Sequence, residues 1–386
     1  LLYVNLTETV GKNTWYRGKI NNEGQNIWIH ESYLKQGELI KHTNYSITLS
    51  QALEIQMTKS PQTDLYRNDP AYVQKNHLTR ENGNKYKVSN NNGTNVYEET
   101  RTNSHIYGKL DKDSKVEVIN TKGNWHQIKY GTWRNAKKDD VKKYLDPDNN
   151  NIFQHLVLSQ SVGVSAEQLD NLLKGKGILE GKGQSFINVN KNNKDKVNEV
   201  YLIAHAFLET SKGTSLLSNG SIEVGEISNN KYFVQINDKK KNETRYHIAE
   251  YKQIVKDGVT TYDWVVSESN ESTRKKATDI KKTYNMFGIG AVDKNPEVLG
   301  AVRAYQEGWD SAEKAIEEGA KFILYRYIHN YYKQDTLYKM RWNPANPGYP
   351  QYATDIGWAV KQANMIKDMY KQLKDPVIVF DVPKYK

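Results

Sequence analysis

Hydrophobic and polar positions follow two different patterns along this chain of 386 residues. In residues 1–147, apolar and polar side chains alternate in short runs such as 115–119 and 125–130, and Asn, Gly and Asp residues separate the runs. A period of two is typical of strands that bury one face. We therefore predict that the first part of the chain is all-β.

A helical period begins after residues 146–151, where Pro and Asn residues predict a linker. The strongest helical pattern covers 197–212, where the apolar side chains form one broad face and Gly213 favours a C-terminal end. Residues 221–270 return to a period of two, and further helices are predicted at 152–160, 165–174, 301–306, 311–332 and 356–373. This order predicts an α+β second part with a cleft between a helical lobe and a small β lobe.

The first part contains a weak internal repeat. Residues 13–34 carry Trp15 and then Trp28, and residues 123–145 carry Trp125 and then Trp133; each unit is a Trp strand, a turn and a second Trp strand, and each closes on Tyr-Leu. Short strands at this spacing fit a small SH3-like barrel, and the pattern resembles the SH3-like cell-wall-binding modules called GW modules. We expect a partial module at 1–45 and a complete one at 46–147, with plain β spacers as the alternative.

Composition narrows the classes of function. Cysteine is absent, which excludes disulfides, thiolate zinc sites and a cysteine nucleophile. No run of about 18 apolar residues predicts a transmembrane helix. The net charge is +10, but no basic helix or recognised module indicates nucleic acid as a partner. Because the chain begins at Leu1 rather than Met, we expect a segment of a longer polypeptide.

One carboxyl group lies at the end of the strongest helical pattern. Glu209 follows Phe207 and Leu208, and apolar walls would raise its pKa, as a general acid at a glycosidic oxygen requires. The alternative is a surface glutamate paired with Lys212. His205 lies four residues before Glu209, but the His-Glu-x-x-His pattern of zinc peptidases is absent, so no metal and no cofactor are expected.

Two further segments carry candidate binding residues. Residues 284–291 pair Asn285 with a turn at Phe287 and Gly288, where glycine allows close backbone approach to a ligand. Residues 336–355 are predicted to place aromatic and amide side chains on a Pro-rich loop, which suits sugar rings and acetamido groups. Ordinary packing is the alternative for both segments. The candidates in the second segment are Tyr338, Arg341, Trp342, Gln351 and Tyr352.

Taken in order, the segments 208–213, 285–289, 337–344 and 352–355 resemble the family 73 glycoside hydrolases, and among them the C-terminal glucosaminidase of bifunctional staphylococcal autolysins. The resemblance covers about residues 150–386. It implies a lysozyme-like α+β fold at 148–386 and endo-β-N-acetylglucosaminidase activity on the GlcNAc-β-1,4-MurNAc bond of peptidoglycan. A muramidase or lytic transglycosylase on the same fold, or a catalytically weak wall-binding adhesin, is the alternative.

The resemblance also assigns roles to residues. It places the catalytic glutamate at Glu209, the active-site tyrosine at Tyr352, and the substrate-lining turn at Asn285, Phe287 and Gly288. No motif selects a second carboxylate, so the N-acetyl oxygen of the substrate is expected to assist, with an inverting route as the alternative. The candidates for a second carboxylate are Glu223 and Glu226, and after them Glu243 and Glu250.

The same resemblance implies a location and partners. We expect a protein secreted to the cell surface of a Gram-positive bacterium, where peptidoglycan glycan strands are its partners. Walls of this kind are polyanionic, so a chain of net charge +10 is also expected to be drawn to anionic wall polymers such as teichoic acids.

Overall fold

The structure is a computed structural model that describes residues 3–19, 26–33, 39–192, 194–256, 259–292 and 295–386. It is a mixed α/β protein, with strands predominating before residue 147 and helices around a second β region after it. The prediction that residues 1–147 are all-β is wrong in two places, because helices form at Leu49–Met57 and Lys138–Leu145 and bury Leu53 and Val141 against the second part of the chain. Part of the module predicted at 1–45 lies outside the described residues, including Leu34 of its Tyr-Leu pair. The module boundaries at 45 and 147 stay predictions.

Five of the nine helices of the described chain, α1 to α9, begin where a side chain satisfies a free backbone N–H group. The side chains of Thr48, Ser165, Asn198, Ser311 and Thr336 each accept a hydrogen bond from the first turn of the following helix. The nine helices of the described chain occupy Leu49–Met57, Lys138–Leu145, Ala166–Leu173, Gly183–Asn192, Glu199–Glu209, Pro296–Gln306, Ala312–Ile323, Leu337–Trp342 and Trp358–Tyr370.

Strands β1 to β13 precede residue 147. They form a three-stranded sheet (β1-β2-β3), a seven-stranded sheet (β10-β9-β6-β12-β11-β8-β7) and a short β13-β5 pair, while β4 pairs elsewhere. Their bounds are Tyr3–Val10, Asn13–Lys19, Ile27–His30, Leu39–Asn44, Gln62–Thr63, Ala71–Gln74, Leu78–Asn82, Lys85–Val88, Thr94–Tyr97, Ile106–Leu110, Lys115–Lys122, Trp125–Ile128 and Arg134–Asn135.

Strands β14 to β19 follow the linker. Five of them form an antiparallel sheet in the order β17-β16-β15-β14-β18. The alternate residues Ile222, Val224 and Val234 of this sheet pack against Val298 and Val302 of α6. The six strands occupy Ile222–Ser228, Lys231–Asp238, Glu243–Lys256, Val259–Glu268, Thr278–Thr283 and Val379–Lys384.

Some predicted helices are shorter in the structure. The pattern at 152–160 contains only a 3₁₀ turn, Ile152–His155, and the pattern at 311–332 is α-helical as far as Ile323 and continues as the π-helical turn Leu324–Ile328. The segment at 336–344, predicted as part of a loop, contains helix α8. Its residues are buried in the protein, and this tertiary packing compensates for the short helical run.

A hydrophobic core crosses the predicted linker. Leu53 of α1 and Val141 of α2 pack with Tyr338 and Trp342 of α8, and Trp342 is only 1% exposed. Strand β4 also pairs in parallel with β19, close to the C-terminus. The two parts of the chain therefore share buried apolar surface, which isolated wall-binding and catalytic units would not do.

An ionic cluster supports the same junction. The ammonium group of Lys339 lies 2.7 Å from a carboxylate oxygen of Asp335 and 2.7 Å from one of Asp381. Asp381 is on β19, where it pairs with Lys41 of β4. The hydroxyl of Thr43 donates to Asp381 as well. Because Lys339 and Asp381 are buried, each charge depends on its partner, and loss of either one would leave an unpaired buried charge.

Candidate active site

Helix α5 carries Glu209 and is fixed at its start by buried hydrogen bonds. The carboxylate of Glu199, in the first turn, accepts from the Ser161 hydroxyl at 2.7 Å, the Val162 N–H at 2.8 Å and the Asn190 amide at 2.6 Å. A carboxylate in this position also interacts favourably with the helix dipole. All residues from Glu199 to Phe207 are buried, so the helix has little freedom to shift.

The helix ends at Glu209, three residues before the predicted end. The Thr210 hydroxyl donates back to the Ala206 carbonyl, and Ser211, Lys212 and Gly213 then adopt left-handed φ values of 50°, 58° and 81°. A Cβ atom on Gly213 would lie 2.1 Å from the carbonyl oxygen of Lys176, so only glycine fits this turn. The turn makes Glu209 the last helical residue.

The backbone of Gly288 lies against the carboxyl group of Glu209. A Cβ atom on Gly288 would be 2.6 Å from Oε2 of Glu209, and the φ of Gly288 is +64°. Asn285 holds this turn: its amide donates to the carbonyls of Ile289 and Gly300 at 2.8 and 3.1 Å, and its oxygen accepts from the Ile289 N–H at 3.1 Å. Asn285 is 1% exposed, so in this structure it shapes the turn from behind.

The environment of Glu209 disfavours its charged form. Its surface is open to solvent on one side, yet surrounding protein displaces much of the water, and this desolvation raises the pKa of Glu209. Within the described residues, no hydrogen bond or ion pair joins Glu209 to another side chain, and the alternative pairing with Lys212 is not found. A carboxyl group that keeps its proton to higher pH can act as a general acid.

Tyr352 reaches the same place from the C-terminal part of the chain. Its hydroxyl lies 2.8 Å from Nε2 of His205, one helical turn before Glu209. Its ring stacks on Trp358 at 4.6 Å and contacts Tyr327 at 4.7 Å. Burial raises the pKa of Tyr352, and the nearby charge of Glu209 raises it further, so the phenol stays protonated. The structure thus brings Glu209, Gly288 and Tyr352 together.

Phe287 packs against His205, next to Glu209, Gly288 and Tyr352. It is 4% exposed, and its ring is nearly parallel to that of His205, with centroids 5.8 Å apart and an interplanar angle of 19°. Gly319 of α7 makes room for the ring, since a Cβ there would lie 2.8 Å from Phe287 Cδ2. Phe287 therefore packs under the site and supports His205.

The other predicted binding residues contact groups other than Glu209 in the described chain. Tyr338 and Trp342 are buried in the core shared with α1 and α2. Arg341 donates to the carbonyls of Asp355 and Thr354 at 2.7 and 2.9 Å. The Gln351 amide donates to the Ala353 carbonyl at 2.9 Å. Tyr338, Arg341 and Trp342 lie on the buried helix α8, and Gln351 is bonded to backbone, so these side chains do not form the open loop that the sequence predicted. In this structure they hold the segment that carries Tyr352.

Three of the four candidate second carboxylates have cationic partners. Glu223 pairs with Arg274 at 2.7 Å. Glu250 pairs with Lys231 and Lys252, and Glu243 lies 3.9 Å from Arg245. Glu226 is exposed on β14. No contact within the described residues joins any of the four to Glu209.

Sequence reasoning missed one component of the site. It considered His205 only as a zinc ligand, whereas the structure pairs it with Tyr352. The spacing of four residues between His205 and Glu209, which places both on one side of α5, was the available signal. The aromatic neighbours Tyr327 and Trp358 carried no local signal. Among the described residues, no group of three or more His, Asp or Glu side chains is placed to hold a metal ion.

Comparison with known proteins shows that the chain is similar to glucosaminidases and autolysins. No family model matches the chain. It is 38% identical over 362 residues to a beta-N-acetylglucosaminidase of Bacillus subtilis (strain 168), across 92% of this chain and 33% of the relative. It is 32% identical over 380 residues to a bifunctional autolysin of Staphylococcus aureus (strain NCTC 8325 / PS 47), across 98% of this chain and 22% of that protein.

A solved structure gives the same result. The crystal structure of S. aureus glucosaminidase B matches with a TM-score of 0.50 and 26% identity, over 91% of this chain and 96% of that one. The predicted resemblance to the staphylococcal autolysin glucosaminidases is confirmed, and it extends over nearly the whole chain rather than residues 150–386 alone. The chain spans a third or less of the length of the two relatives.

The raised pKa of Glu209 predicts a pH-dependent cost to stability. The folded protein binds this proton more readily than the unfolded chain, so stability falls as pH rises from the ordinary glutamate pKa through the raised one. We expect Glu209→Gln to resist urea better than the wild type at pH 7, and this gain to disappear below about pH 4. Glu81→Gln, at an exposed position of strand β7, is the control for the Glu-to-Gln exchange itself. A gain that is equal at pH 4 and pH 7 would contradict the prediction.

Proposed function

We propose that this chain is an endo-β-N-acetylglucosaminidase that cleaves the GlcNAc-β-1,4-MurNAc bond of peptidoglycan, with the lysozyme-like fold of family 73 glycoside hydrolases at 148–386. The observation that carries the proposal is the Glu209 carboxyl group, which has a raised pKa and lies against Gly288 beside the His205–Tyr352 pair. The names of the relatives, beta-N-acetylglucosaminidase and bifunctional autolysin, support the choice of bond.

Glu209 acts as the general acid. Without a cationic partner among the described residues, its carboxyl group keeps a proton at a pH where an ordinary glutamate has lost it. It donates this proton to the glycosidic oxygen as the bond to the anomeric carbon breaks. The bare backbone of Gly288 leaves room for the carboxyl group in this position.

The N-acetyl oxygen of the substrate supplies the nucleophile. It bonds to the anomeric carbon while the electron pair of the breaking C–O bond moves to the leaving oxygen, which takes the proton of Glu209. Water then opens the resulting ring at the anomeric carbon and returns a proton to Glu209, so the product is β. The Tyr352 hydroxyl stabilises charge at the reacting sugar. The ion pairs of Glu223 and Glu250 support this route over one with a second carboxylate.

The N-terminal part serves as the wall-binding part. We assign partial and complete SH3-like modules to 1–45 and 46–147, because exposed Trp15 and Trp28 and the net charge of +10 suit glycan and anionic wall polymers such as teichoic acids. The place of action is the cell wall of a Gram-positive bacterium, reached by secretion. In the described part of the chain, no helix is both long and apolar enough to cross a bilayer.

Mass spectrometry of digested peptidoglycan tests the function. We expect wild-type chain to create new reducing ends at N-acetylglucosamine, and Glu209→Gln to lower turnover by roughly 10²–10⁴ because Gln cannot donate the proton. Sedimentation with purified walls checks that the variant still folds and binds. New ends at N-acetylmuramic acid would identify a muramidase, anhydro products a lytic transglycosylase, and binding without products an adhesin. Each of these outcomes would overturn the proposal.

Gly288 and Gly308 form a matched pair for testing the carboxyl position. Both have left-handed φ values, +64° and +73°, but a Cβ on Gly308 meets nothing within 4 Å. Alanine should cost about 1–2 kcal/mol of stability at either position. Only Gly288→Ala should lower kcat, by at least about tenfold, because it displaces Glu209. Equal kcat for the two variants, measured on soluble glycan, would count against the assigned geometry.

The anomer of the first product tests the nucleophile. Proton NMR before mutarotation should show β at the new reducing end, and single changes to Gln at the four candidate carboxylates should cost little turnover. Tyr352→Phe should cost about 3 kcal/mol in activation free energy. An initial α anomer together with one inactive Glu→Gln variant would establish the inverting route instead. The four positions are Glu223, Glu226, Glu243 and Glu250.

A further inference from the structure

His205 is a buried histidine with one partner. It is 0% exposed, and its Nε2 lies 2.8 Å from the Tyr352 hydroxyl. Its Nδ1 has no hydrogen-bond partner among the described residues. The rings of Phe287 and Tyr201 have their centroids 5.8 Å from that of His205, and Tyr352 meets it edge-on at 5.5 Å. The imidazole therefore has a fixed position in the helix that ends at Glu209.

The proton on this imidazole can be assigned. Burial lowers the pKa of His205 to about 4, so at neutral pH the ring is neutral and has a single N–H. An N–H at Nδ1 would be a buried donor without an acceptor, which proteins rarely tolerate, whereas an unpaired acceptor nitrogen costs less. The favoured tautomer therefore carries its proton at Nε2, facing the oxygen of Tyr352.

We propose that His205 is a positioning residue: its Nε2–H donates to the Tyr352 oxygen, so that the single phenol proton must be donated outward, toward the reacting sugar beside Glu209. When the phenol oxygen accepts a hydrogen bond from Nε2–H of His205, the phenol cannot donate its own proton to Nε2. A tyrosine hydroxyl can either donate or accept a hydrogen bond. His205 restricts the hydroxyl of Tyr352 to donating toward the sugar, as stabilisation of negative charge there requires. This inference rests on the proposed function for its catalytic consequence, but the tautomer itself does not.

His155 offers an internal reference. It is also buried, its Nδ1 is also without a partner in the described chain, and burial lowers its pKa to about 4 as well. Its Nε2 lies 3.0 Å from the carbonyl oxygen of Pro147, which can only accept, so His155 must carry its proton at Nε2. It packs against Tyr338, in the core shared with α1 and α2.

Nitrogen-15 NMR of histidine-labelled protein tests the tautomer directly. We expect His205 to show the same Nε2–H pattern as His155, with the two signals assigned by their loss in His205→Phe and His155→Phe. An Nδ1–H tautomer at His205 would overturn the proposal. The measurement needs no substrate, so it stands even if the chain proves to cleave another bond or none.

A double-mutant cycle tests the consequence for catalysis. His205→Phe keeps the ring but removes the donor, and it should lower kcat by at least about tenfold with KM nearly unchanged. His205→Phe combined with Tyr352→Phe should be no worse than Tyr352→Phe alone, since both changes remove the same oriented proton. His205→Gln, which can place an amide N–H near Nε2, should recover part of the turnover.

Structural damage gives a different pattern. His155→Phe also replaces a buried histidine, and it should lower the melting temperature without changing kcat in the folded protein. If His205→Phe behaves like His155→Phe, or if its effect adds fully to that of Tyr352→Phe, the positioning role is wrong. If Glu209→Gln is as active as wild type in the same assay, the assignment of the acid fails instead.

Discussion

Helix α5 is buried along its length as far as Phe207, and this burial decides where the next polar group can lie. The buried carboxylate of Glu199 fixes one end, and three consecutive left-handed residues stop the helix at the other. Glu209 is therefore held at the margin of an apolar core, where water is scarce enough to raise its pKa. Desolvation of Glu209 lowers the stability of the folded protein, and the packing of helix α5 offsets this loss.

Glycine backbone closes the other side of the carboxyl group. Gly288 can approach Glu209 because it has no side chain, and Asn285 holds the turn through four hydrogen bonds to backbone. A buried amide used in this way contributes precision, because each of its polar atoms is satisfied in only one arrangement of the loop. The proposed acid thus depends on residues that never need to touch the substrate.

The second half of the site is anchored to the N-terminal part of the chain. Tyr352 follows helix α8, whose Tyr338 and Trp342 are buried against α1 and α2, and Gln62 of β5 pairs with the backbone beside Asp355. The position of Tyr352 is therefore coupled to residues before the linker. Truncation at the linker would expose this core, so loss of activity in a truncated chain would not by itself measure wall targeting.

The sequence by itself determined the predominance of strands before residue 147, the return of a β region between helices after it, the helix that ends near Glu209, and the tight turn at Gly288, because each follows from local period or local backbone freedom. It also pointed to Tyr352 through a resemblance that the relatives confirm as a whole. It missed helices α1 and α2, whose apolar residues are buried against α8 of the second part. Only the tertiary structure decided that Tyr338 and Trp342 are core residues and that His205 meets Tyr352, 147 residues away. Contacts between distant segments depend on how the elements pack, and no local pattern records that packing.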